Sequence, residues 1–225
     1  MNNAAPMPPP GSARYFALLY TPRAQRPVLA RLLALADEIG AGVTRGLDHD
    51  VAHARLAWWQ REAGQYALGR AQHPWLRSRT DEPAAAPAID LNALAQAAAI
   101  DLAQTLQKPP GGEQLRRAVF TAAAQLLGAG PLSPALQAIL AELATLSWRW
   151  EQAPAAASEI NAALQPLLAR LTAASQCALV PLLLWTSLAG RHAAAKKTSP
   201  RRALADNIYA WRLARRAAAG TLNSP

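Results

Sequence analysis

Apolar and polar residues do not alternate for long anywhere in this 225-residue chain, and Val and Ile are sparse. A half-buried β-strand needs that alternation, and β-branched residues favour strands. The apolar fraction is 52%, and much of it is Ala and Leu, which are strong helix formers. The sequence therefore predicts an all-α protein with one sizeable core, organised as a single domain over residues 14–219.

The helical spacing of the apolar residues, with caps and Pro or Gly breaks between them, predicts about seven helices. Asp90 and Ser133 are expected to cap helices, and Pro134 suits a first helical position. Pro181 is expected to kink the longest helix. The predicted helices cover residues 23–41, 51–69, 91–106, 113–127, 134–150, 159–189 and 202–219.

The two ends of the chain are predicted to be tails, over residues 1–13 and 220–225. The first tail carries no charge, includes four prolines and lacks the apolar run of a signal peptide, so we expect it to be disordered. Cys177 lies in an apolar run, which indicates a buried, inert thiol. The longest apolar stretch, 178–189, is shorter than the roughly 18 residues of a spanning helix. We expect a cytoplasmic protein, soluble or peripheral at the inner face of a membrane.

The chain is strongly basic, with a net charge of +9 and a pI of about 10.8. Such an excess favours anionic partners: nucleic acid, lipid headgroups or diphosphates. Nucleic acid is disfavoured, because the basic residues do not interleave with aromatic residues and no helix-turn-helix signature is present. Most Arg residues are spaced singly, and one cluster stands out near the C-terminus: Lys196, Lys197, Arg201, Arg202, Arg212, Arg215 and Arg216.

Five short motifs follow one another along the chain. They are Glu38-Ile39, the segment 55–62 with the pattern Arg-Leu-x-Trp-Trp-x-x-Glu, His73-Pro74, Asp101-Leu102 and Leu126-Leu127-Gly128. In this order and spacing, the chain resembles the squalene/phytoene synthase family over residues 14–218. Those proteins are trans-isoprenyl diphosphate synthases of the head-to-head type. The resemblance implies an isoprenoid-synthase-like helical bundle around an apolar central cavity.

Enzymes of that family join two prenyl diphosphates, using Mg²⁺ held by two Asp-rich motifs on facing helices. The first motif is similar to residues 37–41, where Asp37 is retained but Ala41 stands in place of the second Asp. The second is similar to Arg149-Trp150-Glu151, where Trp150 replaces an Asp. The resemblance therefore implies a catalytically degenerate branch. The alternative is an active prenyltransferase of isoprenoid biosynthesis, which would need Mg²⁺.

A degenerate branch of this kind implies functions other than prenyl transfer. Its mitochondrial members act as assembly factors for respiratory complex I. For this chain the resemblance implies binding of a prenyl or other lipid ligand, or assembly of a membrane-associated complex with a protein partner. No cofactor is expected in that case.

Arg55, Trp59 and Glu62 share one helical face, since they stand at i, i+4 and i+7. They are candidates for the mouth of the implied cavity, with Arg55 available to a phosphate. The alternative places the tryptophans in the core, which we favour for Trp58, and pairs Arg55 with a surface carboxylate. Arg149, between two tryptophans, is a candidate for a phosphate or for stacking, or it caps the end of its helix.

Asp37 and Glu38 are candidates for a relic metal site, and solvated acids paired with an Arg are the favoured alternative. His49, His53 and His73 match no common zinc spacing, and His73 before Pro74 suits a turn. No metal site is predicted from these residues.

The last predicted helix has a basic and an apolar side. Leu204, Ile208 and Trp211 fall on one face, and arginines of the stretch Arg202 to Arg216 fall toward another. Such a helix suits an anionic membrane surface. The alternative packs Trp211 onto the protein and leaves the arginines in water.

Overall fold

A computed structural model describes residues 5–44, 48–77, 89–105, 112–129, 132–153, 156–193 and 200–222. All regular secondary structure in these ranges is helical, so the predicted all-α class is confirmed. No helix within them is both long and apolar enough to cross a membrane. The helices are α1 (Ala13–Leu19), α2 (Arg26–Thr44), α3 (His49–Ala67), α4 (Pro74–Arg77), α5 (Leu91–Thr105), α6 (Glu113–Leu126), α7 (Pro134–Gln152), α8 (Ala157–Ala169), α9 (Ala173–Ala178), α10 (Val180–Ala193) and α11 (Pro200–Ala218).

Side-chain caps set several helix starts where the sequence predicts them. The Ser133 hydroxyl accepts from the Leu136 N–H at 3.2 Å, with a proline at the next position, and Asp90 accepts from the Ala93 N–H at 2.9 Å. These contacts satisfy N–H groups that have no partner within the helix. The two predicted caps are therefore confirmed.

The region predicted as one kinked helix over 159–189 is instead three helices, α8, α9 and α10. Thr172 begins α9, since its hydroxyl accepts from the Ser175 N–H at 3.2 Å. Pro181 is the second residue of α10, where its missing N–H removes no helical hydrogen bond. It therefore stands at a helix start and not at a kink. Cys177 is exposed at the end of α9, so the prediction of a buried thiol was wrong.

The described residues group into two compact units. The first comprises residues 5–7 and 27–122, with α2 from Pro27, α3 to α5, and α6 as far as Ala122, and in it α3 packs against α5. Its core includes Leu35, Ile39, Leu56 and Leu94. Asp101, which is buried on α5, accepts from the N–H groups of Gln114 and Leu115 at 3.0 and 2.8 Å, and so caps the start of α6.

The second unit comprises residues 8–26 and 123–225, and α10 is its central helix. α1, α7, α8, α9 and α11 all contact α10, whose residues 180–190 are buried. Gly190 allows the closest approach: a Cβ built there would lie 2.7 Å from the Ile160 Cδ1 and 3.1 Å from the Trp150 Cδ2. The implied apolar central cavity stays a prediction.

Candidate functional site

Glu62 lies on α3 and is 3% exposed. α3 ends in a tight reversal at Gly69, whose φ of +70° is in the left-handed region that suits glycine. The chain then returns along α3, and the Glu62 Oε1 accepts from the N–H groups of Gln72 and His73 at 2.6 and 2.7 Å. Glu62 therefore fastens this reversal to its own helix.

His73 is held between α2 and α3 by that reversal. Its Nε2 lies 3.2 Å from the Glu38 Oε2 on α2. Its ring centroid lies 5.1 Å from that of Trp59 and 5.0 Å from that of Trp75. We refer to Glu38, Trp58, Trp59, Glu62, His73 and Trp75 as the His73 cluster. The sequence indicated five of its members: four through the Arg-Leu-x-Trp-Trp-x-x-Glu and His-Pro motifs, and Glu38 through the Glu-Ile motif.

The two adjacent tryptophans have different environments. Trp59 is buried at 2%, whereas Trp58 is 36% exposed, so the core placement favoured for Trp58 was wrong. Successive helical residues point about 100° apart, and α3 has a single buried face. One of two neighbouring tryptophans therefore reaches the core, while the other lies at its edge against the first, with their centroids 4.9 Å apart.

Arg55 is half-buried on α3 and joins the same two helices. Its Nη2 donates to the backbone carbonyl of Glu38 at 3.3 Å. Its Cδ would be 3.6 Å from a Cβ built at Gly42 on α2. The described partner of Arg55 is thus a backbone carbonyl oxygen, where the sequence suggested a surface carboxylate or a phosphate.

The candidate metal residues are distributed over separate places. Asp37 is exposed on α2, while the neighbouring Glu38 faces His73. His49 and His53 face each other on the first turns of α3, with their Nε2 atoms 2.9 Å apart. Among the described residues, no group of three or more His, Cys, Asp or Glu side chains is placed to hold a metal ion.

Arg149 belongs to the second unit and is exposed in the last turn of α7, where a cation suits the helix dipole. The next two residues are structural. Trp150 is buried, and Glu151 accepts from the Trp185 Nε1–H at 3.0 Å. The guanidinium of Arg14 lies 5.1 Å from the ring centroid of Trp185.

α11 carries its large apolar residues toward solvent. Leu204, Ile208 and Trp211 are 63%, 42% and 51% exposed. They lie at i, i+4 and i+7, and Arg215 follows at i+11 with its guanidinium 4.9 Å from the Trp211 ring centroid. We refer to Leu204, Ile208, Trp211 and Arg215 as the α11 outer face. About half of the Trp211 surface is thus exposed, and Arg212, Arg215 and Arg216 are exposed as well.

The opposite side of α11 attaches the helix to its unit. Asp206 and Ala210 are buried there. The Asp206 Oδ2 lies 2.9 Å from the His192 Nε2, and its Oδ1 lies 3.7 Å from the Arg191 Nε. Arg191 also lies over the ring of Tyr209, 4.4 Å from its centroid. The outer face is therefore not needed to hold α11 in place. Lys196 and Lys197 lie outside the described residues, and only the helical backbone of Arg201 and Arg202 is described.

Comparison of the chain with protein-family models, with curated proteins and with solved structures gives no match. A functional hypothesis for this protein therefore depends on the sequence motifs and on the geometry above.

Proposed function

We propose that this protein is a catalytically degenerate, squalene/phytoene synthase-like helical protein that works peripherally on an anionic membrane surface. There it binds a prenyl or other lipid ligand, or supports assembly of a membrane-associated complex. The observation that carries the proposal is the α11 outer face, an apolar surface with arginines beside it on a helix that is attached by its other side.

The residue types of this face fit a bilayer interface. Trp prefers the headgroup level, and the transfer of Leu and Ile side chains out of water lowers the free energy. Each Arg near an anionic leaflet contributes about 1 kcal/mol at physiological salt. Arg212 and Arg216 flank the outer face, and Arg215 lies within it, so apolar insertion and charge attraction act at the same surface.

Loss of prenyl transfer is supported by the residues that occupy the two motif regions. Ala41 and Trp150 stand where the resemblance calls for carboxylates, and both are buried. The carboxylate of Glu38 faces the His73 ring, and that of Glu62 binds two backbone N–H groups. These acids therefore have roles in holding α2, α3 and the reversal together.

Vesicle co-sedimentation tests the membrane role. The wild-type protein should bind phosphatidylglycerol vesicles, bind phosphatidylcholine vesicles much less, and be released by high salt. Leu204→Glu combined with Ile208→Glu should abolish this binding without unfolding the protein, because both side chains are exposed. Leu68→Glu combined with Ile100→Glu is the matched control, since it replaces two exposed apolar residues by the same charge elsewhere.

Two results would contradict the membrane role. One is equal binding by the α11 variant and the control variant, which would make attraction to vesicles a property of net charge alone. The other is wild-type binding that does not distinguish anionic from zwitterionic vesicles. A salt-sensitive gel shift with RNA or DNA, without vesicle binding, would instead point to a nucleic-acid partner.

The second part of the proposal is tested with substrate. Incubation with Mg²⁺ and farnesyl or geranylgeranyl diphosphate should give no squalene, hydroxysqualene or phytoene. Product above a boiled control that is lost on Asp37→Ala would overturn this part and restore the active prenyltransferase.

A further inference from the structure

The second unit contains a groove of about 520 Å³ between α8 and the C-terminal half of α11. That volume is within the range of roughly 300–1,000 Å³ usual for small-molecule sites. The groove lies at the Trp211 end of α11, and Leu204 and Ile208 are not part of its lining. It therefore shares Trp211 and Arg215 with the α11 outer face but does not include Leu204 or Ile208.

The walls of the groove are apolar. Leu164 and Leu168 contribute one wall from α8, Leu183 contributes from α10, and Leu222 closes the far end. All four are well packed into the unit, with no more than 7% of their surface exposed. A hydrocarbon chain in the groove would contact these leucines and would cover the exposed Trp211 and Ala219 beside them, which favours an apolar ligand.

The rim of the groove is basic. Arg212, Arg215 and Arg216 line it from successive turns of α11. Among the described lining residues none is Asp or Glu. Arg212 has no hydrogen bond or ion pair with another described residue, and is exposed. Three positive charges beside an apolar wall select an anionic group.

The turn after α11 builds the closed end. Gly220 has a φ of +65°, and the Thr221 N–H donates to the Arg216 carbonyl at 2.8 Å. The Arg216 Nε and Nη2 donate in return to the Thr221 carbonyl at 3.3 and 3.2 Å. This turn buries Leu222 and fixes the Arg216 side chain beside it. The charged and the apolar parts of the groove are thus held together in one arrangement.

We propose that this groove binds one single-chain anionic amphiphile, with its hydrocarbon chain along the leucines and its phosphate or carboxylate head at Arg212. The inference names a site and a ligand class for the lipid binding in the proposed function, and it rests on that part of it. Inorganic phosphate alone makes no contact with the apolar part of the groove. An uncharged chain leaves Arg212 without an anion.

Isothermal titration calorimetry with three probes tests the site. Dodecyl phosphate, kept below its micelle concentration, should bind saturably with one molecule per chain. Dodecanol and inorganic phosphate should each bind at least about tenfold more weakly, because each can use only one part of the groove. Bilayer effects are absent in this experiment, since no vesicles are present.

Two variants and a control locate the binding. Arg212→Ala should weaken dodecyl phosphate binding about tenfold or more, as a charge-assisted contact is lost. Ala219→Trp should block the groove, since Ala219 is exposed and lines it. Arg170→Ala is the control, because it removes another exposed arginine, at the end of α8, whose partner is Glu142 and which does not line the groove.

The outcomes separate this inference from the vesicle proposal. Absence of saturable dodecyl phosphate binding, or equal weakening by Arg170→Ala and Arg212→Ala, overturns the groove site even if vesicles still bind. Retained binding in Ala219→Trp overturns it as well. The combined Leu204→Glu and Ile208→Glu variant should lose vesicles but keep dodecyl phosphate, and loss of both would also count against a separate groove.

Discussion

Replacement of Glu62 distinguishes a structural role of the His73 cluster from a ligand-binding role. The Glu62 Oε1 accepts two short hydrogen bonds, from the N–H groups of Gln72 and His73, and the side chain is buried. If these contacts define its role, replacing Glu62 should loosen the reversal after α3 and destabilise the first unit. If the role of Glu62 is instead to bind a ligand, replacing Glu62 should change the free energy of unfolding only slightly.

The expected magnitudes follow from the two contacts. Hydrogen bonds to a charged group contribute about 1.5–3 kcal/mol each, against about 1 kcal/mol for neutral ones. Glu62→Gln keeps the accepting oxygen but loses the charge, so we expect a loss of about 1–3 kcal/mol. Glu62→Ala removes the acceptor from two N–H groups, and we expect a loss of about 2–4 kcal/mol. Glu142→Ala, which removes one exposed ion pair of 3.4 Å, should cost at most about 1 kcal/mol.

Two measurements check this prediction. Urea unfolding followed by circular dichroism gives the change in the free energy of unfolding for each variant. Hydrogen exchange of the Gln72 and His73 amides reports the local contact directly, and it should accelerate in Glu62→Ala. Both amides should exchange as in the wild type in Glu142→Ala.

A structural role for Glu62 would be refuted if Glu62→Ala were no more destabilising than Glu142→Ala. Unchanged hydrogen exchange of the Gln72 and His73 amides in Glu62→Ala would also refute it. A larger loss for Glu62→Gln than for Glu62→Ala would show that the buried amide group, and not the lost charge, dominates.

The remaining predictions concern two helical glycines. Gly190→Ala should destabilise the protein by about 1–2 kcal/mol, because the new Cβ meets Ile160 and Trp150 and overpacking outweighs the gain in helix propensity. Ile160→Val removes the nearest atom, Ile160 Cδ1, and should therefore reduce the cost of Gly190→Ala measured by urea unfolding. An equal cost of Gly190→Ala in the wild type and in Ile160→Val would argue against a clash. Gly64→Ala, whose Cβ meets nothing within 4 Å, should instead stabilise by about 0.5–1 kcal/mol, and a loss would contradict the open environment.

Local signals made most of the helical structure predictable. Ser133, Pro134 and Asp90 act within one turn, so their effect on a helix start follows from the sequence alone. The break at Thr172 was missed, because the surrounding apolar pattern continues through it and periodicity does not distinguish one long helix from two short ones. Cys177 was misplaced for the same reason, since its exposure depends on where α9 begins and ends.

The sequence indicated part of the His73 cluster but not its contacts. Spacing on α3 predicts that Arg55, Trp59 and Glu62 share one helical face. The partners of Glu62, by contrast, depend on the reversal at Gly69. After this reversal the chain runs back along α3 and brings residues 72 and 73 beside Glu62. A carboxylate that binds backbone N–H groups has no sequence pattern of its own. The sequence alone therefore does not distinguish it from a catalytic acid, whereas the structure of the turn does.

α11 shows why an amphipathic pattern alone does not assign a buried face. Leu204, Ile208 and Trp211 form the larger apolar stripe, and transfer free energy alone would bury them. The helix instead packs through Ala210 and the paired Asp206, because small side chains allow close approach and His192 and Arg191 satisfy the carboxylate. Folding therefore leaves this apolar stripe in contact with water. A membrane surface would cover the stripe, and for this reason the proposed function depends on the α11 outer face and not on the His73 cluster.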